Sequence, residues 1–236
     1  MSKKVNSVGG RKMDCKDKAK MRVSVDFNYM MEKSLGARGI NDGELAAIKD
    51  KAAAAFGYVK ENRGRDDLFM GWTELPYNQD EIVADILETA AAVRKKFKYF
   101  VVLGIGGSAL GPIMAFNALK HLHYNELPDE KRGGPKFYVE DNVDPVRMQA
   151  LLDVIEPEKT CFNVISKSGA TSETMTQYLI IADILKKKGV NLPENMIFTT
   201  DASRGNLIKI DKSFGGAFKK YVLPDGVGGR FSEMCP

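Results

Sequence analysis

The sequence predicts an α/β fold: a five-stranded parallel sheet with helices on both faces, doubly wound, preceded by N-terminal helices. Three observations predict it. Short apolar runs of strand length occur at Tyr99–Leu103, Phe137–Val139, Cys161–Ile165, Met196–Thr199 and Tyr221–Leu223. Helical segments near 111–122, 144–155, 171–188 and 203–211 separate them. Crossovers through helices make neighbouring strands parallel and cover both sheet faces.

The elements follow in order. Residues 1–22 carry eight Lys and Arg against Asp14 and Asp17, so this stretch holds +6 and leaves −2 for the rest of a chain whose total is +4. The basicity therefore belongs to a tail, read as solvated rather than as an arm for nucleic acid. Asn41-Asp-Gly-Glu44 has the form of a capping box opening a helix through about Glu61. Leu45, Ile48, Ala52, Ala55, Phe56 and Val59 form one apolar face on it. Trp72 and Leu75-Pro76 mark a turn. Asn78-Gln-Asp-Glu81 repeats the box, and Ile82, Ile86, Ala90 and Val93 carry a helical stripe to about Lys96. Within the sheet region, Asp144-Pro145 suits an N-cap with proline at the first helical position. Lys186–Gly189 suits a basic last turn and a glycine stop. The expected organisation is a basic tail over 1–25, a helical segment over 26–97 packing on the core, and a sheet domain over 98–236.

Several classes are disfavoured. Three cysteines, Cys15, Cys161 and Cys235, are odd in number and far apart, which is neither a disulfide framework nor a zinc site and suits a reducing cytoplasm. The basic start has no apolar run behind it, so no signal peptide is read. Tyr99–Leu119 is uncharged and of membrane-spanning length, but Gly104, Gly106, Gly107, Gly111 and Pro112 would break a single helix. A strand, a glycine turn and a helix fit it better.

Ligands of open parallel sheets sit beyond the carboxyl ends of the strands. The loops to inspect therefore follow Leu103, Val139, Ile165, Thr200 and Leu223. The first is Gly104-Ile-Gly-Gly-Ser-Ala-Leu-Gly111, whose glycines let a ligand approach the backbone amides at a helix start. It also matches a dinucleotide fingerprint, but the acidic residues Glu140 and Asp141 lie too far on. The third is Ser166-Lys-Ser-Gly-Ala-Thr-Ser-Glu-Thr174. Its hydroxyls and Lys167 suit phosphate oxygens, and its spacing is not that of a Walker loop.

Together these segments carry a resemblance. The third loop resembles the phosphate loop of sugar isomerase (SIS) domains. Val102–Pro112 resembles the first glycine loop of glucose-6-phosphate isomerases, and Gly226-Val-Gly-Gly-Arg-Phe-Ser232 resembles that family's arginine segment. The similarity runs from about residue 40 to the end of the chain. It implies that Ser166, Lys167, Ser168 and Thr171 hold a sugar phosphate and that Gly107 and Ser108 line the sugar. It further implies that Gly229 and Arg230 sit by the reacting carbons, with Arg230 stabilising charge on a cis-enediolate. The implied reaction is aldose–ketose isomerisation between glucose 6-phosphate and fructose 6-phosphate. No cofactor or metal, no nucleic acid and no membrane are implied, and a homodimer is implied for the intact family member.

The family continues beyond the segment at Pro236 into a second SIS domain that supplies a glutamate base, a ring-opening histidine and a lysine. None is matched here, and His121 and His123 read as solvated helix-end residues. The resemblance therefore implies a truncated chain, inactive alone, with apolar surface at the cut edge. A non-catalytic sugar-phosphate-binding module is the alternative. A nicotinamide-dependent dehydrogenase half is disfavoured by the hydroxyl-rich third loop.

Overall fold

The computed structural model describes residues 24–77 and 79–229. The basic tail, Cys15, Asn78, Arg230 and Cys235 lie outside the described residues. The chain divides into two compact units, Met1–Tyr58 and Val59–Pro236.

In the first unit a short helix α1 (Glu32–Leu35) is followed by the start of helix α2 (Asp42–Glu61). The expected capping box forms in full. Glu44 N–H donates to Asn41 Oδ1 at 2.9 Å, and Asn41 N–H donates to Glu44 Oε2 at 3.0 Å. The apolar face of α2 is not a core face: no residue of the helix is buried, and Ile48 and Phe56 are exposed.

The second unit holds the sheet. Helix α3 (Asp80–Lys96) begins after Gln79, whose side chain makes no cap, and Asn78 of the expected second box is outside the described residues. Five strands follow, β1 (Tyr99–Leu103), β2 (Lys136–Glu140), β3 (Thr160–Ser166), β4 (Met196–Thr200) and β5 (Lys219–Val222). All pair in parallel, in the order β2-β1-β3-β4-β5. The fifth strand starts two residues earlier than its apolar run: Lys219 and Lys220 pair with Ile197 and Phe198 of β4, while their side chains reach Asp85 and Asp211. The connecting helices are α4 (Gly107–Leu119), α6 (Pro145–Val154), α7 (Ser172–Lys187) and α9 (Asn206–Ser213), with single turns α5 (Asp129–Arg132) and α8 (Leu192–Asn195). Asp144 Oδ1 caps α6 by accepting from Val146 N–H at 2.8 Å and Arg147 N–H at 3.0 Å. Gly189, at φ +71°, closes α7 as expected.

Alternate strand residues face opposite layers, since the side-chain period of a strand is two. Val101, Leu103, Phe162, Val164 and Phe198 pack with Met148, Leu151, Tyr178, Ile181, Leu185 and Leu207, so α6, α7 and α9 cover one face. Cys161, Ile197 and Tyr221 pack on the other with Val93 of α3 and with Phe97 just past its end. There Phe116 of α4 stacks on Phe137 at 4.8 Å. Burial pushes the Cys161 thiol up to about 12, so it packs as a small apolar group. The helix after β1 thus lies on the opposite face from the helix after β3. Right-handed crossovers require that when the chain turns left from β1 and right from β3. The crevice opens where those two loops diverge. The Tyr99–Leu119 stretch is indeed strand, turn and helix. No helix among the described residues is long and apolar enough to cross a membrane.

Candidate functional site

The loop after β1 turns at Gly106, at φ +57°, which hands the chain into α4. A Cβ on Gly104 would sit 2.9 Å from Ser108 O, so the turn closes only with glycine there. Gly107 is buried and Ser108 half-buried at the head of α4.

The loop after β3 is braced from within and from behind. Ser166, 2% exposed at the strand end, sets its Oγ 3.0 Å from Thr171 Oγ1, and Ser168 Oγ lies 3.3 Å from the same atom. Ala170 N–H donates to Ser168 Oγ at 3.3 Å. Gly169, at φ +63°, has its carbonyl accepting from Asn206 and Leu207 N–H at 2.7 and 3.2 Å. A Cβ on Gly169 would meet Thr200 Oγ1 at 2.9 Å, which fixes the loop against the end of β4. Thr171 is the N-cap of α7, yet its side chain makes no capping bond, being turned to the two serines. The first-turn amides of α7 and its positive dipole end are therefore available to an anion.

These two loops meet the loops after β4 and β5 around one open cavity of about 820 Å³. Gly107, Ser108, Lys167, Ser168, Thr171 and Gly229 all line it. Ser166 does not; it stands behind Thr171. Arg230 lies outside the described residues. His121 and His123 follow the end of α4 and do not line the cavity, and His123 faces Glu126 at the surface.

Two further wall segments carry no local signal of their own. Asp201 and Arg204 come from the loop after β4. Asp201 Oδ1 accepts from Ser203 and Arg204 N–H, both at 2.9 Å, and Oδ2 accepts from Arg204 Nη2 at 3.0 Å. The Ser203 amide, then the Arg204 amide and guanidinium, hold the Asp201 carboxyl down to about 2 against the opposing effect of burial. Arg204 also reaches Asp225 at 3.2 Å. Among the described residues Lys167 makes no ion pair, so it is the lining cation available to a ligand's charge.

The second segment precedes the sheet altogether. Asp66, in the turn Asp66–Leu68, and Phe69, the residue that follows it, line the cavity. Gly71 N–H donates to Gly226 O at 3.1 Å, and Gly226, at φ +73°, lies so close to the turn that a Cβ there would overlap Asp66 Oδ1. This strap seats the loop that leads from β5 to Gly229.

Beside the cavity, at the end of β2, Glu140 is buried. Its Oε2 makes no hydrogen bond and faces Arg147 Nε at 3.4 Å. Burial raises its pKa, and Arg147 partly offsets that.

A glycine turn, a hydroxyl loop and one uncommitted lysine converge on a cavity at the switch point of a parallel sheet. Residues 85–235 match the family model of phosphoglucose isomerase. The chain belongs to the phosphoglucose isomerase family. It is 50% identical over 217 residues to a glucose-6-phosphate isomerase of Carboxydothermus hydrogenoformans, covering 92% of this chain and 46% of the relative. It is 38% identical to one of Rubrobacter xylanophilus, covering 91% and 47%. The chain spans about half the length of the curated relatives it matches. Among solved structures it resembles a hypothetical protein from Thermus thermophilus, with TM-score 0.69 and 31% identity over 82% of this chain and 43% of that one. It also resembles a glucose-6-phosphate isomerase from Chlamydia trachomatis, with TM-score 0.54 and 29% identity over 66% and 28%. In phosphoglucose isomerase terms, the described cavity is built from the loops that the sequence motifs singled out, plus the Asp66–Gly71 strap and the Asp201–Arg204 turn.

Proposed function

We propose that this chain carries the phosphate-gripping half of a site for the interconversion of glucose 6-phosphate and fructose 6-phosphate. The observation that carries this reading is the Ser166–Thr171 loop, with Lys167 and the free first turn of α7, facing Gly107 and Ser108 across one cavity. The hydroxyls of Ser168 and Thr171 and the α7 amides donate to phosphate oxygens, and Lys167 opposes their charge. Ser166 keeps Thr171 turned toward the ligand rather than into the helix cap. Gly229 approaches the sugar carbons, and Arg230 stabilises the negative charge that develops on the enediolate oxygens.

A carboxylate must move the proton between C2 and C1 in such a reaction. Asp201 is unsuited to that task, because a carboxyl held at about 2 is a weak base near neutral pH. We infer that this chain binds the sugar phosphate without turning it over, Asp201 being no effective base for the proton transfer.

The test uses the full chain. Calorimetry should show fructose 6-phosphate binding, and a coupled assay should show almost no glucose 6-phosphate formed. Robust turnover would sink the claim that this chain lacks an effective base. Undiminished binding in both Thr171→Ala and the Ser166→Ala/Thr171→Ala pair would remove the phosphate-site assignment.

A further inference from the structure

Phe69 is the sole non-glycine residue with positive φ among the described residues, at φ +55° and ψ +36°. A bulky side chain in the left-handed region is a backbone outlier, and such outliers persist only where their surroundings enforce them. The surroundings here are specific. Phe69 N–H donates to Asp66 O at 3.1 Å, Met70 N–H donates to Arg65 O at 2.9 Å, and Gly71 N–H is tied to Gly226 O. The chain is clamped on both sides of Phe69, and the left-handed turn joins the clamps.

What this arrangement presents is an aromatic ring that is 65% exposed on the wall of the phosphate cavity. The other lining groups are polar, charged or glycine, apart from Ile105. A sugar phosphate has two chemically distinct ends, an anion and a carbon chain with apolar C–H edges. The polar wall matches the first. Ligand sites combine a few placed polar groups with apolar and aromatic surface, and Phe69 is the large apolar surface of this one.

We infer that Phe69 is a specificity-determining contact that covers the carbon chain of the bound sugar, separating phosphorylated sugars from free phosphate. The inference rests on the sugar-phosphate reading above for the identity of the ligand. The Asp66–Gly71 turn is then a positioning strap, holding the ring on one side and the Gly226–Gly229 backbone on the other.

Calorimetry of the full chain with fructose 6-phosphate and with inorganic phosphate tests it. Phe69→Gly removes the ring and places at 69 the residue that suits left-handed backbone, so the fold is kept; thermal unfolding verifies this. Phe69→Leu keeps apolar bulk. Phe69→Gly is expected to weaken fructose 6-phosphate binding about tenfold, the scale of lost apolar contact in a pocket, while inorganic phosphate binding stays unchanged. Phe69→Leu falls between. Fructose 6-phosphate binding equal to wild type in Phe69→Gly overturns the inference, as does an equal loss for both ligands. Thr171→Ala is expected to lose both ligands together. A wild-type chain that binds neither ligand instead overturns the sugar-phosphate reading, and this inference with it.

Discussion

Ser166 Oγ stands 3.0 Å from Thr171 Oγ1, so a hydroxyl buried at the end of β3 sets the direction of the one that lines the cavity at the head of α7. The pair divides labour. In the proposed site Thr171 would meet the ligand, and Ser166 meets Thr171.

That division predicts a non-additive mutational cycle. Thr171→Ala removes a hydrogen bond to a charged group, worth roughly 1.5–3 kcal/mol, and should weaken sugar-phosphate binding about tenfold or more. Ser166→Ala should cost less, because Ser168 still holds Thr171 from the other side. The double variant should bind about as weakly as Thr171→Ala alone, since Ser166 acts through the Thr171 hydroxyl that is already gone. Titration calorimetry on the three variants checks this, and full additivity would mean that Ser166 acts on its own.

The strap predicts a stability difference between two glycines of similar φ. Gly215, at φ +68°, faces open space, and a Cβ there would have nothing within 4 Å. Gly215→Ala should cost only the left-handed backbone penalty, about 1–2 kcal/mol. Gly226→Ala meets that penalty and also drives a methyl into Asp66 Oδ1. It should therefore be the more destabilising by a clear margin in urea unfolding, and it should weaken ligand binding, which Gly215→Ala should not. Equal effects would show that the strap is slack.

Acid should uncouple the Asp201 turn. Its carboxyl is depressed from 3.8 to about 2 in the fold, so its stabilising contribution is fully present above about pH 4 and is lost as pH falls toward 2. Asp201→Asn keeps an acceptor but not the charge. Its stability deficit relative to wild type, measured by urea unfolding from pH 5 to pH 2, should shrink through that window. A deficit that stays constant would mean that the charge is immaterial to the turn.

The strands were legible because a strand buried on both faces needs an uninterrupted apolar run, as in Tyr99–Leu103, and no other element of that length does. The hydroxyl loop at the cavity was legible because Ser166–Thr174 concentrates hydroxyls beyond what one helix cap uses. Both are local properties. The Asp66–Gly71 strap was not legible, since its role comes from meeting Gly226 in the folded chain, and Phe69 announces its left-handed backbone in no periodic pattern. The apolar stripe of α2 misleads in the opposite sense: Ile48 and Phe56 have helical spacing, yet spacing specifies only that a face exists, not what covers it. Asp201 and Arg204 lay in a loop singled out by its position after β4, but nothing in Asp-Ala-Ser-Arg separates an ion-paired turn from an ordinary one.

The clasp between Gly71 and Gly226 also sets an order in time. At about 5–20 residues per second, roughly eight to thirty seconds separate the synthesis of these two residues on a ribosome. During that interval the emerging chain holds Phe69 on a turn that has nothing to grip. The Ser166–Thr171 loop is likewise unbraced until Asn206 and Leu207 arrive to donate to Gly169. Closure of the cavity is therefore one of the last steps in building these loops, and a nascent chain halted before β5 should carry the hydroxyl loop without a finished cavity around it.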